Sequence, residues 1–150
     1  MAAGVVAGPA AGALQAPVLT VGADSTTHEE ALMASPEQKT FSAPDETREF
    51  EHGRLDLVRI GESDIGRLTL QPGWRWSEHV KPIAGTDWCE APHFQFHVSG
   101  RLRIRMSDGS EFDATAGDVT ALPAGHDAWV VGDEPVVVVD WWGASNYARH

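Results

Sequence analysis

The sequence has almost no cysteine, since Cys89 is the only one among its 150 residues. A single thiol cannot form a disulfide within the chain, so no disulfide framework holds the fold together and a reducing compartment fits best. We therefore expect a cytoplasmic protein. Nothing around Cys89 in the sequence indicates an activated thiolate, and a lone thiol beside Trp88 is more often buried as filler than used as a nucleophile.

Basic residues are scarce. The chain has 11 Lys and Arg against 22 Asp and Glu, which gives a formal charge of −11. An acidic surface repels nucleic acid and anionic lipid. The composition therefore predicts small-molecule or protein partners, no nucleic acid and no membrane.

The first 38 residues contain no Lys or Arg and consist largely of Ala, Gly, Val and Pro. They lack the basic start of a secretory signal, and Gly and Pro interrupt them too often for a membrane helix. We predict that residues 1–38 are a disordered leader. The alternative is that translation begins at Met33, which mass spectrometry of the native N-terminus would test.

Long helical periods are also missing. From about Phe41 the chain shows short apolar runs that are broken by turn residues roughly every ten positions, as in all-β domains. We predict strands near 54–60, 65–70, 101–106, 110–114 and 118–122, and a last strand in EPVVVVDWW, whose unbroken valines imply cover on both faces. Asp108-Gly109 predicts a hairpin with a type I′ turn. A chain of this length fits one domain.

Polar and apolar residues alternate in the stretch APHFQFHVSG. In a strand, His93, Gln95 and His97 share one face, while Phe94, Phe96 and Val98 share the other. The histidines need surroundings that are enclosed yet polar, and the inside of a small β-barrel provides them. The aromatic face needs an apolar cover, either from the N-terminal part of the domain or from a second subunit.

Two stretches resemble the motifs of the cupin family, which have the forms G-x5-H-x-H-x3,4-E-x6-G and G-x5-P-x-G-x2-H. GWRWSEH has the spacing of the first motif from Gly73 to His79, and HFQFHVSG matches its end, with His93 where the family has glutamate. GDVTALPAGHDA matches the second motif from Gly117 through Gly125. The resemblance covers roughly residues 60 to 142.

The chain departs from these motifs at three positions. Lys81 stands where the family has its second histidine, and the loop between His79 and His93 is longer than the motif allows. Ala128 occupies the position of the last family histidine, while His126 lies two residues earlier. A shift of two keeps the same side of a strand, so His126 is a substitute ligand if the strand has already begun.

The resemblance implies an all-β cupin double-stranded β-helix, a jelly-roll barrel over residues 41–142, with residues 143–150 as a C-terminal tail. Because cupins often pair through a sheet, it also implies a homodimer. It further implies a metal ion held by His79 and His93 together with His97 or His126. Imidazole ligands suit divalent Fe, Mn, Zn, Ni or Cu. About three protein ligands and an open position make a catalytic metal site.

The role of Lys81 and the function remain open at this point. Lys81 either orients an anionic ligand as a catalytic residue or extends to solvent at the rim. One hypothesis is a metal-dependent enzyme of the oxygenase or isomerase type that acts on a small organic acid or ring compound. The other is a ligand-binding or sensory cupin that has lost its metal and uses Lys81, Gln95 and the histidines as hydrogen-bond partners.

Overall fold

The computed structural model describes residues 35–149, so most of the predicted leader lies outside the described residues. The strands are β1 (Glu46–Phe50), β2 (Gly53–Ile60), β3 (Ser63–Leu70), β4 (His93–Ser99), β5 (Arg101–Met106), β6 (Glu111–Thr115), β7 (Val119–Leu122), β8 (His126–Val130) and β9 (Val136–Asp140). Two short helices, α1 (Trp76–His79) and α2 (Lys81–Ala84), connect β3 to β4, and a 3-10 turn (Ala144–Asn146) follows β9.

The strands form two antiparallel sheets. The larger sheet has the order β1-β2-β3-β9-β4-β7, and the smaller has the order β6-β5-β8. Side chains from both sheets meet in one hydrophobic cluster, which includes Leu55 and Leu57 of β2, Val136 of β9 and Ile104 of β5, all fully buried. This arrangement confirms the predicted all-β jelly-roll class.

The alternation in β4 is confirmed. His93, Gln95 and His97 are buried, and Phe94 and Phe96 are exposed on the opposite face. Because strand residues point alternately to the two faces, the imidazoles lie on the inner side of the larger sheet. The periodicity of the sequence was sufficient to determine this placement.

Two local predictions were wrong in detail. In β9, Val136 and Val138 are buried but Val137 and Val139 are only half-buried, so the cover on the second face is partial. The hairpin between β5 and β6 forms, yet only Gly109 of the central pair adopts a positive φ, of 89°. The loop is therefore not a type I′ turn, and its glycine in the left-handed region resembles the bulge of a longer hairpin loop.

Residues 76–84 are helical rather than extended. Val80 donates its backbone N–H to the Trp76 carbonyl, Pro82 suits the first turn of α2, and Gly85 ends that helix with a φ of 70°. Strand parity therefore does not apply to His79 and Lys81, which both project from single helical turns. No helix within residues 35–149 is long and apolar enough to cross a membrane.

The residues after Trp142, predicted as a tail, pack against the barrel. Ala144 is fully buried and Tyr147 is 5% exposed. Arg48 of β1 holds this segment, because its guanidinium donates hydrogen bonds to the Tyr147 carbonyl at 2.6 Å and to the Ser145 carbonyl at 3.0 Å. The C-terminal segment is thus part of the domain and brings Tyr147 to the interior.

Candidate metal centre

Cys89, His93 and His126 lie together inside the barrel, each buried. Their ligand atoms are all within 4.8 Å of one another, and Cys89 Sγ is 3.6 Å from His93 Nε2. A tetrahedral ion with metal–sulfur and metal–nitrogen bonds of about 2.3 and 2.0 Å places those two atoms about 3.5 Å apart. The spacing of the group therefore fits a bound metal ion.

The position of Cys89 depends on the backbone of the second motif. Cys89 forms an isolated bridge with His126, donating its N–H to the His126 carbonyl at 2.8 Å. Gly125 donates its own N–H to the Cys89 carbonyl at 2.8 Å, and its φ of 93° makes the turn that directs the chain into β8. Cys89, in the loop that lengthens the first motif, therefore lies directly beside the second motif.

Asp140 fixes the orientation of the His93 ring. Asp140 Oδ2 accepts a hydrogen bond from His93 Nδ1 at 2.6 Å, and Oδ1 accepts the backbone N–H groups of Phe94 and Trp142. Gly143 passes so close that a Cβ there would be 2.5 Å from His93 Nδ1. Because Nδ1 is used by a carboxylate, Nε2 is the ring nitrogen that faces Cys89, as is usual when a histidine binds a metal.

The ring of His126 is fixed in the same sense. His126 Nδ1 lies 2.9 Å from the Pro123 carbonyl oxygen. A carbonyl only accepts hydrogen bonds, so Nδ1 carries the proton and the lone pair is on Nε2. In the neutral form of each ring, Nδ1 therefore donates to an oxygen and Nε2 is the ligand atom. In the metal-free centre Nε2 of His93 donates to Cys89, so that proton leaves when a metal binds.

The charges within the centre favour a thiolate. Burial raises the pKa of Cys89, but hydrogen bonds from His126 and His93 and their charges outweigh it and lower the pKa to about 6. Burial lowers the pKa of His93, but the hydrogen bond to Asp140 and then that to Cys89 raise it to about 9. Metals bind the deprotonated thiol, so the surroundings of Cys89 already favour its ligand form.

The structure does not bring His79 and His97 to this centre. His79 lies on α1 beside His52, with their ring centroids 5.0 Å apart, and its Nδ1 accepts the Arg75 backbone N–H. His97 is buried further along β4, with its Nε2 2.9 Å from the Thr120 hydroxyl. Of the four predicted histidine ligands, His93 and His126 therefore lie in one place and the other two lie elsewhere.

Of the other two predicted site residues, Gln95 lies at the centre and Lys81 does not. Gln95, His126 and Ala128 all line a small cavity at the centre, so His126 and Ala128 lie on the same side of β8. Lys81 is away from it, since its Nζ pairs with Asp87 Oδ1 at 3.2 Å near the surface.

Cys89 is the residue that sequence reasoning missed. Its distance from His93 in the sequence, four positions, is a common spacing of metal ligands. That signal was present, but the second contact of Cys89, with His126, depends on tertiary structure.

Two cavities adjoin the centre. The inner one has a volume of about 30 Å³ and is lined by the three candidate ligands together with Trp74 and Gln95. The outer one has a volume of about 440 Å³ and lies between the helices α1 and α2 and the C-terminal segment. Both are lined in part by Trp76, Cys89 and Tyr147, so they meet at these side chains.

The comparisons with known proteins bear on the fold. No family model matches the chain, and no curated protein matches it. A protein of unknown function from Rhizobium leguminosarum is 16% identical, with 73% of this chain and 97% of that chain covered and a TM-score of 0.51. A mutant of oxalate decarboxylase from Bacillus subtilis is 20% identical, with 79% of this chain covered and a TM-score of 0.49.

The chain spans only 34% of the length of that oxalate decarboxylase. At these identities the similarity concerns the fold and does not extend to an activity. The two antiparallel sheets and the glycine turns of both motifs agree with it. The chain therefore has an all-β jelly-roll fold, and its similarity to the Rhizobium leguminosarum protein supports this class.

Proposed function

We propose that this protein is a metal-dependent cupin enzyme whose ion is held by Cys89, His93 and His126 and acts on a small organic molecule. One observation carries the proposal. Both imidazoles use Nδ1 to donate to an oxygen, from Asp140 and from Pro123, and so leave Nε2 for the space beside the Cys89 sulfur.

The donor set narrows the choice of metal. A thiolate with two imidazoles suits Zn, Cu or Fe, whereas Mn prefers oxygen ligands. Three protein ligands leave an open position, as catalytic zinc sites do. When bound there, the ion supplies a Lewis acid for a ligand oxygen or for water. The protein contributes the oriented rings and the enclosed cavity.

The anionic character of the ligand stays a prediction. Lys81, on which it was based, is not among the residues that line the outer cavity. Arg149 and Glu90, which have opposite charges, do line it. Arg149 is thus the basic side chain beside this cavity in the described part of the chain.

Elemental analysis of protein purified without a His-tag tests the proposal. We expect one metal ion per chain in the native protein and almost none in the Cys89→Ala and His93→Ala variants. His79→Ala is the matched control and retains the metal. Native and metal-stripped protein are then incubated with a small-molecule extract, and mass spectrometry follows compounds that only the metal-loaded form consumes. Folded native protein without metal contradicts the proposal.

The second candidate is a ligand-binding cupin without a metal. It is favoured by the charge pairing of the centre, because a Cys89 thiolate beside a protonated His93 satisfies both groups without an ion. Such a protein would bind small molecules in the same cavities. Metal-free native protein that still binds a ligand would support it.

We also propose that the protein forms a homodimer in the cytoplasm. Phe94, Phe96 and Val98 are 38%, 39% and 47% exposed on the outer face of β4, and Val119 of the neighbouring β7 is 63% exposed. Within residues 35–149, Trp141 and Trp142 lie beside Phe94, with ring centroids 6.2 and 5.1 Å away, but the face stays largely exposed, so a second copy is its proposed cover. Light scattering should give a dimer mass for the native protein and a monomer mass for Phe96→Glu.

A further inference from the structure

Two residues that line the inner cavity have buried polar atoms that need a partner. Gln95 Oε1 and Trp74 Nε1 are buried, and neither has a hydrogen-bond partner among the residues that the structure describes. Both residues line the cavity beside the candidate ligands. A buried acceptor and a buried donor that remain unpaired destabilise a protein, so such atoms usually meet water or a bound ligand.

The size of the inner cavity limits what can fill it. A volume of about 30 Å³ is enough for a water molecule or one small polar group, but not for an organic ring. A hydroxyl group is small, and it can both accept a hydrogen bond from an indole N–H and donate one to an amide oxygen. It therefore matches the donor of Trp74 and the acceptor of Gln95.

The outer cavity suits a different part of a molecule. Its volume of about 440 Å³ lies within the range of small-molecule sites. Val80, Ile83, Ala84 and Trp142 give it apolar walls, and Trp76 continues them toward the centre, while Thr86, Glu90, Asn146 and Arg149 add polar groups to the lining. A ring or a short aliphatic chain fits such walls, because its burial there removes apolar surface from water.

We propose that the ligand is a mainly apolar alcohol, with its hydroxyl in the inner cavity and its apolar body in the outer one. Trp76, Cys89 and Tyr147 line both cavities, so we place the link between the two parts of the ligand beside these side chains. This inference rests on the proposed function, because the hydroxyl then lies beside the metal centre. It adds that Gln95 and Trp74 select the polar group and that the helices select the body.

Nuclear magnetic resonance of the zinc-loaded protein tests this inference with four probes. Benzyl alcohol has both parts, toluene has only the body, ethanol has only the hydroxyl, and benzoate carries a negative charge. We expect benzyl alcohol to bind about tenfold more tightly than toluene or ethanol and to shift the indole N–H resonance of Trp74. Toluene should shift the Trp142 indole and leave that of Trp74 in place.

Gln95→Leu, which has a similar volume, should lower the affinity for benzyl alcohol about tenfold and leave toluene binding unchanged. Equal affinities for benzyl alcohol and toluene would overturn the inference, and so would a Trp74 resonance that does not move. Tightest binding of benzoate would overturn it in favour of an anionic ligand. Elemental analysis of the same sample shows separately whether the metal is present. A failure of the metal proposal is thereby distinguished from a failure of the inference about the alcohol.

Discussion

The buried centre and a cluster at the surface both contain two histidines, but their hydrogen bonds differ. In the buried centre the Nδ1 atoms of His93 and His126 donate to oxygens. In the surface cluster of Glu51, His52 and His79, the Nδ1 of His79 accepts the Arg75 N–H at 2.9 Å. Neutral His79 therefore carries its proton on Nε2 and has no lone pair left for a metal.

Burial adds to this difference. Glu51 and His52 are exposed, so a metal ion there would compete with water and with two flexible side chains. Cys89 and His93 are held in the core before any metal binds. Proximity of candidate ligands is therefore not sufficient for a metal site. The hydrogen bond made by Nδ1 of each histidine determines whether Nε2 has a lone pair for a metal.

The largest expected effect concerns the two clusters directly. Competition titration with a zinc chelator should show one tight site, and Cys89→Ala should weaken it about a hundredfold or more, since each ligand supplies a large part of the binding free energy. The double variant His52→Ala/His79→Ala should bind zinc as tightly as the native protein. Loss of the tight site in the double variant would show that the surface cluster, and not the buried centre, binds the zinc ion.

Asp140→Asn tests how much the hydrogen bond at His93 Nδ1 contributes to metal affinity. The substitution keeps the size of the side chain but removes the charge that orients His93 and strengthens its Nε2 as a ligand. Changes to such partners lower metal affinity about 10- to 100-fold. The chelator titration should show this decrease with unchanged stoichiometry. Native affinity in Asp140→Asn would mean that the ring of His93 is oriented by packing alone.

The metal-free centre should titrate in two steps. Cys89 has a pKa of about 6, so its thiolate absorbance should rise near pH 6 and not near the ordinary value of 9.0. The lowered pKa of Cys89 stabilises the fold above pH 9.0 and loses this effect as the pH falls through about 6. The raised pKa of His93 stabilises it below pH 6.5 and loses this effect as the pH rises through about 9.

Between about pH 6.5 and 9 the gain from Cys89 and the loss from His93 offset each other, so these two shifts predict that the stability of the metal-free protein changes little over this range, as urea unfolding at a series of pH values would measure. His93→Gln should move the thiolate transition upward. A transition near pH 9 in the native chain would show that the thiol and the imidazole are not paired.

Arg48→Met tests whether the anchoring of the C-terminal segment stabilises the fold. The variant loses the hydrogen bonds to the Tyr147 and Ser145 carbonyls, which we expect to lower the free energy of unfolding by about 2 kcal/mol. Arg59→Met is the control, because Arg59 is exposed and its ion pairs are screened by solvent and contribute little to stability. Metal content should be unchanged in both variants. A stability loss in Arg59→Met that equals that of Arg48→Met would contradict this role.

The smallest effect is expected at His97. Thr120→Val removes the hydroxyl 2.9 Å from His97 Nε2 and should cost about 1 kcal/mol in unfolding by urea. Zinc affinity should stay native, because His97 lies outside the centre. A clear loss of zinc in this variant would place His97 among the ligands after all.

Strand periodicity and motif spacing were sufficient to predict the fold class and the inward direction of His93, Gln95 and His126. These features depend on local chain geometry, which the sequence records directly. The sequence did not show that residues 76–84 are helical, so the directions of His79 and Lys81 were not predictable from strand parity. The contacts of Cys89 with His126 and of Tyr147 with the core join distant parts of the chain, and no local pattern encodes them.

X-ray absorption at the metal edge of the native, untagged protein tests the metal centre most directly. The predicted result is one sulfur at about 2.3 Å and nitrogen or oxygen ligands at about 2.0 Å, because Cys89, His93 and His126 bind the ion together. A spectrum with only nitrogen and oxygen ligands would contradict this centre.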